Sequence, residues 1–192
     1  MFETIRTTYY PQTLDNNITI QPIATRQAFF DLTGAYFDQV FTPFDDLGAY
    51  TLPKERHNNL TPLRQVFSGT HHEYFVFFDG ETVVGWSYGE MHDPETFFMS
   101  NSAVLPAYRQ RGIYRHFLNH FINYLKALGY ERITSHHQPN NSPVIMAKLK
   151  AGFVLSGMIL DERWSAQVQM TYHCYEDRRQ GFCRAFSLEV VQ

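Results

Sequence analysis

Residues 104–128 read VLPAYRQRGIYRHFLNHFINYLKAL. The stretch begins as the end of a strand, which Pro106 stops because proline has no N–H to give a sheet. It then passes through Arg109-Gln110-Arg111-Gly112-Ile113-Tyr114 into a helix. Tyr114, Phe117, Leu118, Phe121, Ile122, Leu125 and Leu128 follow the i, i+3, i+4, i+7 rhythm of an amphipathic helix. Arg115, Asn119, Asn123 and Lys126 mark its polar face, and Gly129 sits where a helix C′ residue belongs.

The start of that helix is where chemistry is expected. First-turn N–H groups have no intrahelical acceptor, and the macrodipole makes that end positive. Phosphate suits such an end. Gly112 permits close approach of a ligand to the backbone, and Arg109 and Arg111 add charge. The turn reads either as a diphosphate cradle or as a helix start that merely carries two arginines.

Working outward, Phe97 to Leu105 reads as the strand that ends at the turn, and Arg132 to His137 as the strand that follows the helix. Strand, helix, strand makes those two strands parallel. Upstream, Tyr74–Phe78 and Thr82–Tyr88 form a hairpin about Asp79-Gly80, and His92-Asp93-Pro94 breaks the chain. Downstream, Asn140-Asn141-Ser142-Pro143 starts a helix that ends at Gly152. Phe153–Leu160 and Val168–Tyr175 alternate as two antiparallel strands. Residues 176–192 are ambiguous between helix and strand. At the other end, residues 1–15 read as an arm laid over the fold, Asn17–Ile23 as a strand and Arg26–Phe41 as a helical stripe. Residues 41–60 are loop or broken helix, and Thr61-Pro62 reads as an N-cap followed by Pro at N1 of a short helix. The order predicts an α+β fold with a mixed central sheet.

A chain of 192 residues with 44% hydrophobic and 16% aromatic content has the length and composition of one packed domain, 1–192. A net charge of −3 gives no global basic field to hold nucleic acid. Two cysteines, Cys174 and Cys183, are too few for a disulfide scaffold. With no signal-peptide pattern and no long apolar run, a cytoplasmic protein without a membrane span is expected. Nothing in the sequence fixes the oligomeric state, and a homodimer is one possibility.

Val104-x-Pro106-x-x-Arg109-x-x-Gly112-Ile113 resembles the acetyl-CoA motif of the GNAT acyltransferase superfamily, V-x-P-x-x-R-x-x-G-x-G/A. Asn141 and Gly152-Phe153 are similar to that family's second motif, N-x(10)-G-F. The resemblance covers about residues 73–175, the expected acetyl-CoA-binding core, with an acceptor-side part at about 1–70. It implies a GNAT fold whose mostly antiparallel sheet splays into a V between the strands flanking the main helix. It implies acetyl-CoA as co-substrate, with the pantetheine arm held by backbone near Ala103, Val104 and Leu105. The phosphates would meet Arg109, Arg111, Gly112, Ile113 and Tyr114, and Asn141 would contact the arm. Two positions depart from the pattern. Tyr114 stands where the family has Gly or Ala, which crowds the cradle. Lys148 stands where the family often has a Tyr that protonates the leaving thiolate.

Acyl transfer needs an oxyanion donor, a base for the amine and an acid for the thiolate. Glu90, His92 and Asp93 end a hairpin strand bordering the cleft, and His136 and His137 end the strand after the main helix. Alternation sends those two histidines to opposite faces, and histidine has a pKa suited to proton transfer. Glu90 and His136 are the candidate bases; each could equally be a structural residue, and water performs the step in some family members. Asn141 has the N-cap role as its plain alternative. Lys148 would neutralise phosphate or stabilise the thiolate, although a helix lysine is ordinarily solvated. His116 and His120 share a helix face but lack a third ligand at a telling spacing, so no metal is expected. His71-His72 reads as a loop pair. The loop aromatics Phe44 and Tyr50 are candidates for an acceptor pocket, which favours a small, partly apolar amine. The expected activity is therefore acetyl transfer from acetyl-CoA to such an amine by direct attack. The rival is a non-catalytic acyl-CoA-binding or sensor module.

Overall fold

The computed structural model describes residues 2–14, 17–41, 53–162 and 164–186. In chain order they form α1 (Phe2–Tyr9), β1 (Gln12–Thr13), β2 (Ile18–Pro22), α2 (Arg26–Thr33), α3 (Phe37–Val40), α4 (Lys54–Asn59) and α5 (Thr61–Ser68). Then come β3 (His72–Asp79), β4 (Thr82–Asp93), β5 (Thr96–Val104), α6 (Ile113–Ala127) and β6 (Arg132–His137). The chain continues with α7 (Ser142–Lys150), β7 (Val154–Asp161), β8 (Ser165–His173) and α8 (Glu176–Ala185).

The eight strands make one sheet in the order β1-β2-β3-β4-β5-β6-β8-β7. All neighbours are antiparallel except β5 and β6, the pair that flanks α6. This is the α+β arrangement that the sequence predicts.

Each face carries its own core. On one side α6 buries Ile113, Phe117, Leu118, Phe121, Ile122 and Leu125 against Phe75, Phe77, Phe97 and Ile133. Burying one such side chain stabilises by about 1.5–3 kcal/mol, so this helix anchors the fold and fixes where its own N-terminus lies. On the other side Phe29 from α2 packs with Tyr74, Val76 and Trp86.

Some sequence expectations shift. Residues 2–9 of the supposed arm are a helix, and that helix packs against α6. The stripe 26–41 is two helices separated by a 3₁₀ turn at Gly34–Tyr36, with Thr25 rather than any later residue capping α2. Leu60, not Thr61, is the N-cap of α5, and it makes no side-chain cap bond. The hairpin strand β4 runs on to Asp93, so Glu90 and His92 lie within a strand and not beyond its end. Residues 176–185 are helical. Phe44 and Tyr50 lie outside the described residues.

Candidate active site

The site begins where β5 leaves its parallel neighbour. The two strands are in register only at Thr96↔Arg132, Phe97↔Ile133 and Phe98↔Thr134. Beyond Phe98, β5 runs on to Val104 paired only with β4, while Ser135, His136 and His137 pair only with β8. The facing edges therefore carry unpaired backbone groups, which is the V-shaped splay.

A bulge helps to open it. Glu90 opposes Phe98 and Tyr88 opposes Asn101, so β5 has one more residue than β4 between those points. An extra residue bends a strand and resets its alternation. Phe97 and Met99 accordingly face the α6 core, whereas Ala103 faces the opposite core. Gly89 is required beside the bulge, because a Cβ there would run into the Phe98 carbonyl and the Phe97 ring.

The turn after β5 is fixed by its own hydrogen bonds. The Leu105 amide donates to the Val84 carbonyl at 2.9 Å. Arg109 Nε donates to the Val104 carbonyl at 3.1 Å. Arg111 donates to the Ala107 carbonyl at 3.1 Å, and its guanidinium lies 4.6 Å from the centre of the Tyr108 ring. Gly112 has φ +78°, a left-handed conformation that favours glycine. The first intrahelical bond runs from the His116 amide to the Gly112 carbonyl at 3.0 Å. No side chain caps the helix, so the amides of Ile113, Tyr114 and Arg115 lack an acceptor among the described residues.

Tyr114 does not stand across this opening. Its ring packs against the α6-side core, and its buried hydroxyl lies by Ser102 without a well-aligned hydrogen bond. Burial raises its pKa.

The splay and the turn open into one cleft of about 2050 Å³. Ala103, Val104, Arg109, Gly112, Ile113 and Tyr114 are in its wall, as is Asn141. Glu90, His92, His136 and His137 reach the same cleft. Leu105, Arg111 and Lys148 do not form part of the wall.

Asn141 is the N-cap of α7 by position, but its exposed side chain makes no capping bond. Lys148 corrects the expectation of a solvated helix lysine: it is 1% exposed. Its Nζ donates to Ser135 Oγ at 2.7 Å and to Met99 Sδ at 3.4 Å, and lies 4.5 Å from the centre of the Phe153 ring. Burial without a carboxylate partner lowers its pKa to about 7. Ser135 Oγ lies 2.9 Å from His137 Nε2. Burial, and then the charge of Lys148, lower the His137 pKa to about 3.

On the other sheet face, Ser100 Oγ donates to Glu90. His136 packs against Phe98, with ring centres 4.8 Å apart. Burial lowers its pKa, against a side-chain hydrogen bond with Gln169. Its ring is therefore neutral, and able to accept a proton, near neutral pH. His136 and His137 do lie on opposite faces.

One other histidine reading is corrected. His71 is no idle loop residue: its ring nitrogens meet Tyr130 Oη at 2.7 Å and Glu73 Oε1 at 2.8 Å. Glu73, 1% exposed, also accepts from Tyr124 at 2.6 Å and from Arg6 at 3.1 Å. On α6, His120 Nε2 meets the Tyr9 carbonyl at 2.9 Å. Apart from His71–Glu73, these links join residues 51 to 111 positions apart, and sequence spacing holds no signal for them. Among the described residues no three His, Cys, Asp or Glu side chains cluster to suit a metal ion. No helix among them is long and apolar enough to cross a membrane.

A strand pair that splays beside an uncapped, glycine-opened helix start is the arrangement that the resemblance to the GNAT acyltransferases implies. The sequence model of the acetyltransferase (GNAT) family matches residues 34–153. The chain belongs to that family and is an acetyl-CoA-dependent acetyltransferase. The match begins well before residue 73, where the motifs alone start the resemblance. A search of curated proteins found no match. Among solved structures, the chain is similar to an Escherichia coli ribosomal-protein-alanine N-acetyltransferase, with 16% identity and TM-score 0.58, covering 82% of this chain and 94% of that one. It is also similar to yncA of Salmonella typhimurium, solved with its cofactor acetyl-CoA: 17% identity, TM-score 0.57, 83% and 95% coverage. A spermidine N-acetyltransferase chimera of Vibrio cholerae SpeG gives 15% identity, TM-score 0.56, and 82% and 95% coverage. At these identities the likeness is one of fold.

Proposed function

We propose that the chain moves the acetyl group of acetyl-CoA to the amine of a small, partly apolar molecule by direct attack. The observation that carries this reading is the free edge of β5 beside the open start of α6. A pantetheine arm carries amide groups that can pair with such an edge, along Ala103 and Val104, while Leu105, also expected there, lies outside the cleft wall with its amide bonded to Val84. Its diphosphate suits the amides of Ile113, Tyr114 and Arg115, which follow Gly112, with Arg109 and Arg111 adding positive charge to the same turn. The exposed Asn141 side chain is free to contact the arm. Direct attack needs no nucleophilic side chain. Glu90 and His136 are the candidate bases, since both border the cleft on the face away from α6. Lys148 is the candidate source of the thiolate's proton.

The acceptor class rests on the same wall. Tyr88 and Phe98 line the cleft near Glu90 and supply apolar surface beside a carboxylate, and Phe41 lines the same cleft. Solved relatives bear names that include an alanine of a ribosomal protein and spermidine, both amine acceptors. The test is release of free thiol from acetyl-CoA with a panel of small aromatic and aliphatic amines and of short peptides. Turnover with small amines supports the reading. Turnover with peptides alone would assign the cleft to a protein acceptor, and thiol release that no amine accelerates would overturn amine transfer.

A further inference from the structure

Lys148 is a buried cation in an unusual setting. It faces Met99 from β5, Ser135 and His137 from β6, and Phe153 just after α7. Among the described residues no carboxylate pairs with it. A buried ammonium held by only a hydroxyl, a thioether and a ring face is costly. It also does not reach the cleft itself. Its hydrogen bonds do: Nζ to Ser135 Oγ is 2.7 Å, Ser135 Oγ to His137 Nε2 is 2.9 Å, and His137 is in the cleft wall. His137 is one of the three β6 residues beyond the last β5 pairing, so it borders the splay. No partner among the described residues takes its other ring nitrogen, Nδ1.

We infer that Lys148, Ser135 and His137 form a proton relay that delivers a proton to the departing thiolate of the acyl donor, with His137 meeting the sulfur. This rests on the acetyl-CoA reading above. As the acceptor nitrogen bonds to the acetyl carbon, the C–S bond breaks and the sulfur keeps the electron pair. His137 gives its Nδ1 proton to the sulfur. Its Nε2 takes the hydroxyl proton of Ser135, and Ser135 Oγ takes a proton from Lys148, which becomes a neutral amine. The proton lost by the acceptor nitrogen passes to the base and to solvent. Return of His137 to its first tautomer and a proton from solvent to Lys148 close the cycle. Burial suits both ends of the chain. Lys148, lowered to about 7, can lose and regain a proton near neutrality, while His137, lowered to about 3, stays neutral and passes protons without storing them.

The test uses aniline as acceptor, because it stays unprotonated on both sides of neutrality and does not cleave a thioester unaided, and reads free thiol. Ser135→Ala and His137→Ala should each lower kcat by about 100-fold, while calorimetry finds acetyl-CoA affinity within about twofold of wild type. The wild-type rate should fall as pH rises through the Lys148 titration, and Ser135→Ala should lose that limb. Added imidazole should restore part of the rate to His137→Ala but none to Ser135→Ala. Wild-type rates and an unchanged pH limb in both variants would overturn the relay and leave the acetyltransferase reading standing. Acetyl-CoA that fails to bind the wild type, or binds and yields no thiol to any nucleophile, would overturn that reading and the relay with it.

Discussion

Phe98 and Thr134 are the last residues at which β5 and β6 face each other in parallel register. Everything assigned to the site follows from that parting. The strands separate because β5 carries an extra residue just beyond Phe98 and then turns toward β4 alone. What separates is two rows of backbone donors and acceptors, aimed into a cleft that ends at the start of α6.

The bulge depends on Gly89. A methyl group there meets the carbonyl of Phe98 and the ring of Phe97, neither of which can swing aside without moving β5. Gly89→Ala is expected to cost about 2 kcal/mol or more in stability, as overpacked sites do. Chemical denaturation reads this directly. A loss under about 0.5 kcal/mol, the scale of ordinary surface changes, would show that β5 is not held so tightly there.

Glu73 is expected to set the acid limit of stability. Burial pushes its pKa up, but hydrogen bonds from His71 and Tyr124 and the charge of Arg6 outweigh burial, and the carboxyl ends below its ordinary value. A depressed carboxylate pKa contributes stability that is present above the unfolded value and lost as pH falls through the folded one. The melting temperature should therefore drop as pH falls below the ordinary glutamate range, near 4.5. Arg6→Ala should cost about 3 kcal/mol at neutral pH, because it leaves a buried carboxylate short of its cation. An Arg6→Ala protein as stable as wild type would mean that His71 and Tyr124 suffice.

Lys148 also makes stability rise with pH, but through a charged form that destabilises the fold. Its folded pKa is about 7, below the ordinary lysine value of 10.5, so the unfolded chain binds more protons between those values and stability rises with pH across that window. The cost of the buried charge is fully present below about pH 7. Lys148→Met should be more stable than wild type at pH 6, by a margin that shrinks toward pH 10. Measured Tm values for both proteins at the two pH values check this, and a margin that does not change with pH would contradict it.

The base is open to a similar separation. His136→Ala and Glu90→Gln should differ, with the true base losing about 100-fold or more in kcat and the other little. If His136 serves, the acid limb of the wild-type pH profile should lie below the ordinary histidine range, since burial lowers its pKa. Equal, small losses in both variants would assign the step to water.

The fold was legible in the sequence where periodicity was strong. The α6 stripe, the stop at Pro106 and the glycine at 112 all point to a strand–turn–helix unit, and the structure contains it. The burial of Lys148 was not legible, for a physical reason. On α7 it is the buried residue, while Met146 and Leu149 are 50% and 40% exposed. A helix that inverts hydrophobic patterning carries no periodic signal. The link of Ser135 and His137 to Lys148 was hidden for a related reason: a short β6 shows alternation but not what a helix lays against it. The Glu73 cluster joins side chains from α1, β3 and α6 together with His71 and Tyr130, and only the tertiary fold brings them together.

The central claim is that acetyl-CoA lies in the splay with its phosphates on the amides that follow Gly112. The most direct measurement is calorimetric binding of acetyl-CoA to the wild type, Gly112→Asn and Gly112→Asp. Asn and Asp have the same shape and tolerate the left-handed backbone better than other side chains, so they differ chiefly in charge. Binding to the wild type, retained in large part by Asn and abolished by Asp, is the expected result. A wild type that does not bind, or an Asp variant that binds as the Asn variant does, would contradict the claim.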